Sequence, residues 1–145
     1  MKSKLISILF LATLSINAQK QDVEKCIKTF FEGFHGRDSV KIKSVCNAKM
    51  ILQSITESPN GVKLSEETSL EFYKSIASIP IGMNFQEKII SYSIQIDGAM
   101  AHAWTPYEFY INDKLSHIGV NAFTLFKEND EWKIIYLIDT KRKQI

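Results

Sequence analysis

Cysteine, proline and net charge are all scarce in this sequence, and each scarcity removes a class of protein. Only two cysteines, Cys26 and Cys46, stand among 145 residues. Two thiols cannot build a disulfide-dense scaffold, and their separation does not match the paired spacing of a zinc site. They can form one bridge, tying the first helix to the region after the second, or serve as two small buried hydrophobes. Three prolines and six glycines are too few for a collagen-like repeat or a flexible linker. A formal charge of +2 leaves no strongly basic face, which argues against a nucleic-acid partner. The apolar run from Leu5 to Leu14 is too short to span a bilayer, which takes about 20 residues.

What is present is a moderately hydrophobic chain, 45% apolar and 23% charged, of a length suited to one domain with one core. Its first residues read differently from the rest. Met1-Lys-Ser-Lys4 is a basic start, Leu5 to Leu14 is apolar apart from Ser7 and Thr13, and Ser15-Ile-Asn-Ala18 ends in a small residue. That is the pattern of a secretory signal peptide, with cleavage expected after Ala18 and a mature domain spanning residues 19–145. Cleavage takes away Lys2 and Lys4 and no acid, so the 18 basic residues fall to 16, against 16 acidic. The expected product is a near-neutral, exported protein, periplasmic or secreted, with no membrane association once cut.

Beyond the leader, Val23, Ile27, Phe30, Phe31 and Phe34 repeat at helical spacing, which predicts a helix over 21–35 that Gly36 ends. Asp38 is placed to cap a short second helix. Met50 to Ile55 and the residues after the Ser58-Pro-Asn-Gly61 turn read as paired strands. Thr68-Ser-Leu-Glu71 matches a capping box and opens a third helix, expected to bury Leu70, Tyr73, Ile76 and Ala77. From Glu87 onward the chain alternates apolar and polar residues in four strands, Glu87–Ile96, Met100–Ile111, Leu115–Lys127 and Trp132–Asp139. Helices first and a long meander afterwards predict the α+β class.

Asn112-Asp113 has the chemistry of a two-residue hairpin tip. With Ile111 facing Lys114, Glu108 falls opposite His117 and Trp104 opposite Asn121, with Tyr110 on the same face. The other face then carries Thr105, Tyr107 and Phe109, and both faces are too apolar for water. Three helices cover one of them, so a second copy of the chain is the simplest cover for the other, and a homodimer is expected. An opposed glutamate and histidine can share a proton or simply satisfy each other's hydrogen bonds. The position of Asp139 depends on whether Lys127 to Trp132 closes as a two-residue or a three-residue loop; only the latter puts it on the face of His117. His35 and His102 stand alone, with no chemistry assigned.

Three segments in order carry a family resemblance: Trp104-Thr-Pro-Tyr-Glu-Phe-Tyr110, Ser116-His-Ile-Gly-Val-Asn-Ala-Phe123, and Trp132-Lys-Ile followed by Asp139-Thr-Lys-Arg142. Together with the element order they resemble the nuclear transport factor 2-like superfamily, in particular its secreted bacterial lumazine-binding or polyketide-cyclase-like (SnoaL-like) members. The resemblance implies a cone-shaped α+β barrel, three N-terminal helices on a curved antiparallel sheet, with a cavity at the open end and frequent dimers. It implies no cofactor. The sequence carries no metal, nucleotide or nucleophile motif. The expected function is binding of a small hydrophobic or heterocyclic ligand by Trp104, Tyr110, Asn121, Phe30 and Phe34. The alternatives are a cofactor-independent lyase or isomerase using His117 with Glu108 or Asp139, and a structural dimerisation module.

Overall fold

A computed structural model describes the backbone of residues 2–143 and the side chains of residues 17–143. Three helices, α1 (Lys2–Gly36), α2 (Ser39–Ser44) and α3 (Ser69–Ser78), accompany seven strands. The strands are β1 (Cys46–Ser58), β2 (Gly61–Thr68), β3 (Phe85–Ile89), β4 (Ser93–Asp97), β5 (Met100–Ile111), β6 (Lys114–Glu128) and β7 (Glu131–Arg142). They form one sheet in the order β2-β1-β7-β6-β5-β3, with β4 also on β5. The class is α+β as expected. The sheet is mixed rather than purely antiparallel, because β1 runs parallel to β7. The apolar run Leu5 to Leu14 lies outside the side chains described. Among the described residues no helix is long and apolar enough to cross a membrane.

The helical periodicity of α1 becomes one buried stripe: Val23, Ile27, Phe30 and Phe31 lie against Ala101, Ala103, Phe123 and Leu125 of the sheet. Burying side chains of this size at about 25 cal/mol per Å2 makes this layer the main source of stability. Gly33 lets α1 and α2 touch, since a Cβ there would sit 2.8 Å from Cγ1 of Ile42. The end of α1 differs from expectation by one residue. Arg37, not a glycine, takes the left-handed conformation (φ 55°), and Asp38 N–H and Arg37 N–H close back onto the carbonyls of Gly33 and Phe34. The Arg37 guanidinium compensates by donating to the carbonyls of Pro80 and Met83 and lying over the Phe85 ring.

The capping box of α3 is complete: Glu71 N–H donates to Thr68 Oγ1, and Thr68 N–H to Glu71 Oε2. Tyr73 and Ile76 are buried as expected, whereas Leu70 and Ala77 face outward; Phe72 turns in and stacks on Phe30 at 5.9 Å. The strand expected over 87–96 is two strands, both on the same edge of β5. The break lies opposite Pro106, which has no N–H to give to the ladder, although its carbonyl still accepts from Ile90 N–H. Both cysteines are buried free thiols. Cys26 donates to the Trp132 carbonyl at 3.3 Å, and burial pushes each thiol up to about 12.

Candidate functional site

Two unpaired residues decide what the site contains. The β5–β6 hairpin turns at Asn112-Asp113, both with positive φ, and Tyr110 pairs with Leu115. Ser116 is then left over as a bulge, so Phe109 rather than Glu108 faces His117. From there the shifted register holds: Tyr107 faces Gly119 and Thr105 faces Asn121. The β6–β7 hairpin repeats the device. It turns in two residues at Asn129-Asp130, Ile135 is left unpaired, and Asp139 lands opposite Asn121.

The expected Glu108–His117 and Trp104–Asn121 pairs are therefore absent. Glu108 faces Ile118 on the outer side of the sheet, where it accepts from Tyr110 O–H at 2.8 Å and lies 3.8 Å from Lys88. Trp104 faces Ala122 and is half exposed. One added residue inverts every side chain beyond it, which is why three expected site residues leave the cavity together. His117, Asn121, Asp139, Phe30 and Phe34 remain on its wall.

The cavity has a volume of about 280 Å3 and lies between α1 and the inner face of the sheet. Its apolar side is aromatic, with Phe30, Phe34, Phe72 and Phe109. Its polar end presents Glu87, Asn121 and Asp139, from β3, β6 and β7, held in two separate hydrogen-bonded sets. Asn121 Nδ2 donates to Glu87 Oε1 at 2.6 Å, and Glu87 N–H donates to His35 Nε2 at 3.0 Å. A backbone N–H can only donate, so His35 is neutral with its own proton on Nδ1. Burial agrees, holding His35 below the usual histidine range. Tyr107 shares its hydroxyl proton between the Thr140 carbonyl at 2.8 Å and Asp139 Oδ2 at 3.1 Å. It reaches β7 by crossing Gly119, where an added Cβ would meet the Thr140 oxygen at 1.7 Å and the Tyr107 ring at 2.9 Å.

The electrostatics follow from that burial. Glu87 is pushed up to about 7, first by burial and then by the charge of Asp139, against the pull of the Asn121 N–H and Lys141. His117 stacks on Phe109 at 4.7 Å and is held below its usual range by burial and by Lys141, with Asp139 opposing. Burial and the neighbouring carboxylates hold Tyr107 well above the usual tyrosine range. The polar end thus offers, near neutral pH, a carboxyl that exchanges its proton, an uncharged imidazole and a tyrosine that keeps its proton. Among the described residues no group of three or more His, Cys, Asp or Glu side chains is arranged to hold a metal ion.

No protein-family model matches the chain, and no curated protein sequence matches it either. Solved structures do. A protein of unknown function from Mycobacterium tuberculosis superposes with a TM-score of 0.73 at 8% identity, over 92% of this chain and 77% of the other. An NTF2-like (nuclear transport factor 2-like) protein from Cytophaga hutchinsonii gives 0.68 at 14% identity, over 86% and 98%. A candidate dehydratase of the NTF2-like family from Streptomyces avermitilis gives 0.64 at 13% identity, over 88% and 99%. The fold is NTF2-like.

At such identities the NTF2-like fold carries no site residue across, so the cavity is read from its own side chains. Four residues of the site are not legible in the sequence: Glu87 and Phe109 line the cavity, and Tyr107 and His35 hydrogen-bond to its lining residues Asp139 and Glu87. The strand break opposite Pro106 sets the face of Glu87. The bulge at Ser116 turns Tyr107 and Phe109 to the face of His117. His35 stands alone in the sequence, although it accepts from the Glu87 N–H.

Proposed function

We propose that this NTF2-like domain binds a small, mainly apolar molecule carrying one polar hydrogen-bonding group. The observation that carries this reading is the cavity itself, aromatic on one side and ending in the Glu87–Asn121–Asp139 cluster. Its volume of about 280 Å3 lies at the lower end of known ligand pockets, which run from roughly 300 Å3, so the ligand is one or two rings in size. Phe30 and Phe34 form wall, and Asn121 orients the polar end. A panel of one- and two-ring aromatics tests it by thermal unfolding. A rise in melting temperature with a subset of them is expected; no shift with any of them sinks the reading.

A second reading, a cofactor-independent lyase or isomerase, is favoured by one observation: a carboxyl near 7, Glu87, and an uncharged imidazole, His117, line the same mostly apolar cavity. In this reading Glu87 takes the role expected of Glu108, His117 is the second proton carrier, and Asp139 holds Tyr107. Turnover of any substrate that survived both His117→Ala and Glu87→Gln would remove it.

The context proposed for either reading is an exported homodimer. Cleavage after Ala18 leaves the buried stripe from Val23 to Phe34 intact, and N-terminal sequencing of the exported protein checks it. The outer face of the sheet exposes Met100, Trp104 and Phe126, an apolar surface suited to a second copy. A monomer mass at micromolar concentration counts against that pairing.

A further inference from the structure

The ligand-binding reading leaves the chemical class of ligand open, and the hydrogen-bond accounting at the polar end narrows it. The side chains there have spent donors on each other: an Asn121 Nδ2 proton on Glu87 Oε1, the Tyr107 proton on Thr140 and Asp139. Among the polar atoms that no described residue engages are two carboxyl acceptors at this end, Glu87 Oε2 and Asp139 Oδ1. A ligand that satisfies them must bring N–H or O–H groups of its own. Charge points the same way. Three carboxyl groups border the cavity, Glu67, Glu87 and Asp139, against one ammonium. That ammonium, Lys141 Nζ, lies 3.9 Å from Asp139 Oδ2, at the limit of an ion pair, and its side chain is 45% exposed. Phe30, Phe34, Phe72 and Phe109 line the same cavity, with Phe109 paired directly across from Glu87, and aromatic rings attract cations as well as other rings.

We infer that the cavity takes a small planar aromatic cation, an amidine or protonated amino-heterocycle, with its N–H groups on Glu87 and Asp139 and its ring against the phenylalanines. The inference rests on the binding reading above and adds the sign of the ligand's charge. His117 sits in the wall as a neutral ring and adds no competing positive charge. Glu67, on β2, borders the same cavity and adds to the attraction.

The test uses the full chain and three probes of one shape: naphthalene-2-carboxamidine, naphthalene-2-carboxamide and naphthalene-2-carboxylate, titrated calorimetrically at pH 8. The amidine is expected to bind at least about tenfold more tightly than the amide, as charge-assisted hydrogen bonds are worth roughly 1.5–3 kcal/mol, and the carboxylate most weakly. Glu87→Gln, which keeps shape and the Asn121 contact, should cost the amidine about tenfold and the amide little. An amide or carboxylate that bound as tightly as the amidine would overturn the charge inference while leaving the cavity reading in place. Amidine binding unaffected by Glu87→Gln would also overturn it. If none of the three bound, both readings would fall.

Discussion

The two faces of β5 both carry large apolar or aromatic residues and are opposite in character. Ala101, Ala103, Thr105 and Tyr107 point inward and none is more than 2% exposed, whereas Met100 and Trp104, their neighbours in the chain, are about half exposed. Hydrophobicity does not tell the faces apart. What does is partnered polarity: the inner face holds two hydrogen-bonded pairs, Asn121 with Glu87 and Tyr107 with Asp139, while the outer face pairs Glu108 with Tyr110 and Lys88 in solvent. A polar group on the inner face is costly unless satisfied, so its presence there marks a site; on the outer face it marks nothing.

The contrast breaks most severely at Gly119. Gly119→Ala would drive a methyl into the Thr140 carbonyl and the Tyr107 ring, separating β6 from β7 at the polar end. A loss of more than about 3 kcal/mol, or failure to fold, is expected by denaturant unfolding. A loss below about 1 kcal/mol would show that the close approach is not what holds Tyr107 in place.

Glu87→Gln comes next, and its sign depends on pH. The folded protein holds the Glu87 proton more tightly than the unfolded chain, since burial lifts the carboxyl from 4.5 to about 7. Native stability from this group is therefore fully present below about pH 4.5 and is lost as pH rises through about 7. The glutamine variant should be the more stable protein above pH 7, by up to about 3 kcal/mol, and match the wild type in acid. His35 and His117, held below 6.5, act in the other direction by favouring the fold above that pH, and are common to both proteins. Equal stability of the two proteins from pH 5 to 9 would mean that Glu87 is solvated.

On the outer face the effects shrink. Trp104→Ala should change the unfolding free energy of the dilute protein by less than about 1 kcal/mol, because the ring is already half in water. Its larger effect is expected on self-association, measured by sedimentation. A Trp104→Ala loss as large as that of Gly119→Ala would erase the distinction between the faces.

Much of this molecule is legible in its sequence, and the failures have a common cause. The helix stripe, the capping box and the Asn112-Asp113 turn are local, so residue chemistry declares them, whereas the residues from Lys127 to Trp132 fit either of two loop lengths. Ser116 and Ile135 are bulges, and nothing in a serine or an isoleucine announces that it will go unpaired. Each flips the parity of the strand beyond it. The first sends Glu108, Trp104 and Tyr110 outward; the second brings Asp139 inward from a two-residue loop that, without a bulge, would have turned it away. The parallel pairing of β1 with β7 joins segments some 85 positions apart and has no local signature either. Phe30, Phe34, His117 and Asn121 were legible as cavity residues because two of them follow the helical period and two sit on one face of β6 whichever way β5 is registered.

The most direct test is a titration of nitrogen-15-labelled protein with naphthalene-2-carboxamide, followed by NMR. The resonances of Glu87, Asn121 and Asp139 should move together while the Trp104 indole N–H stays in place. Movement of Trp104 without the other three would put the ligand on the outer face and contradict the account.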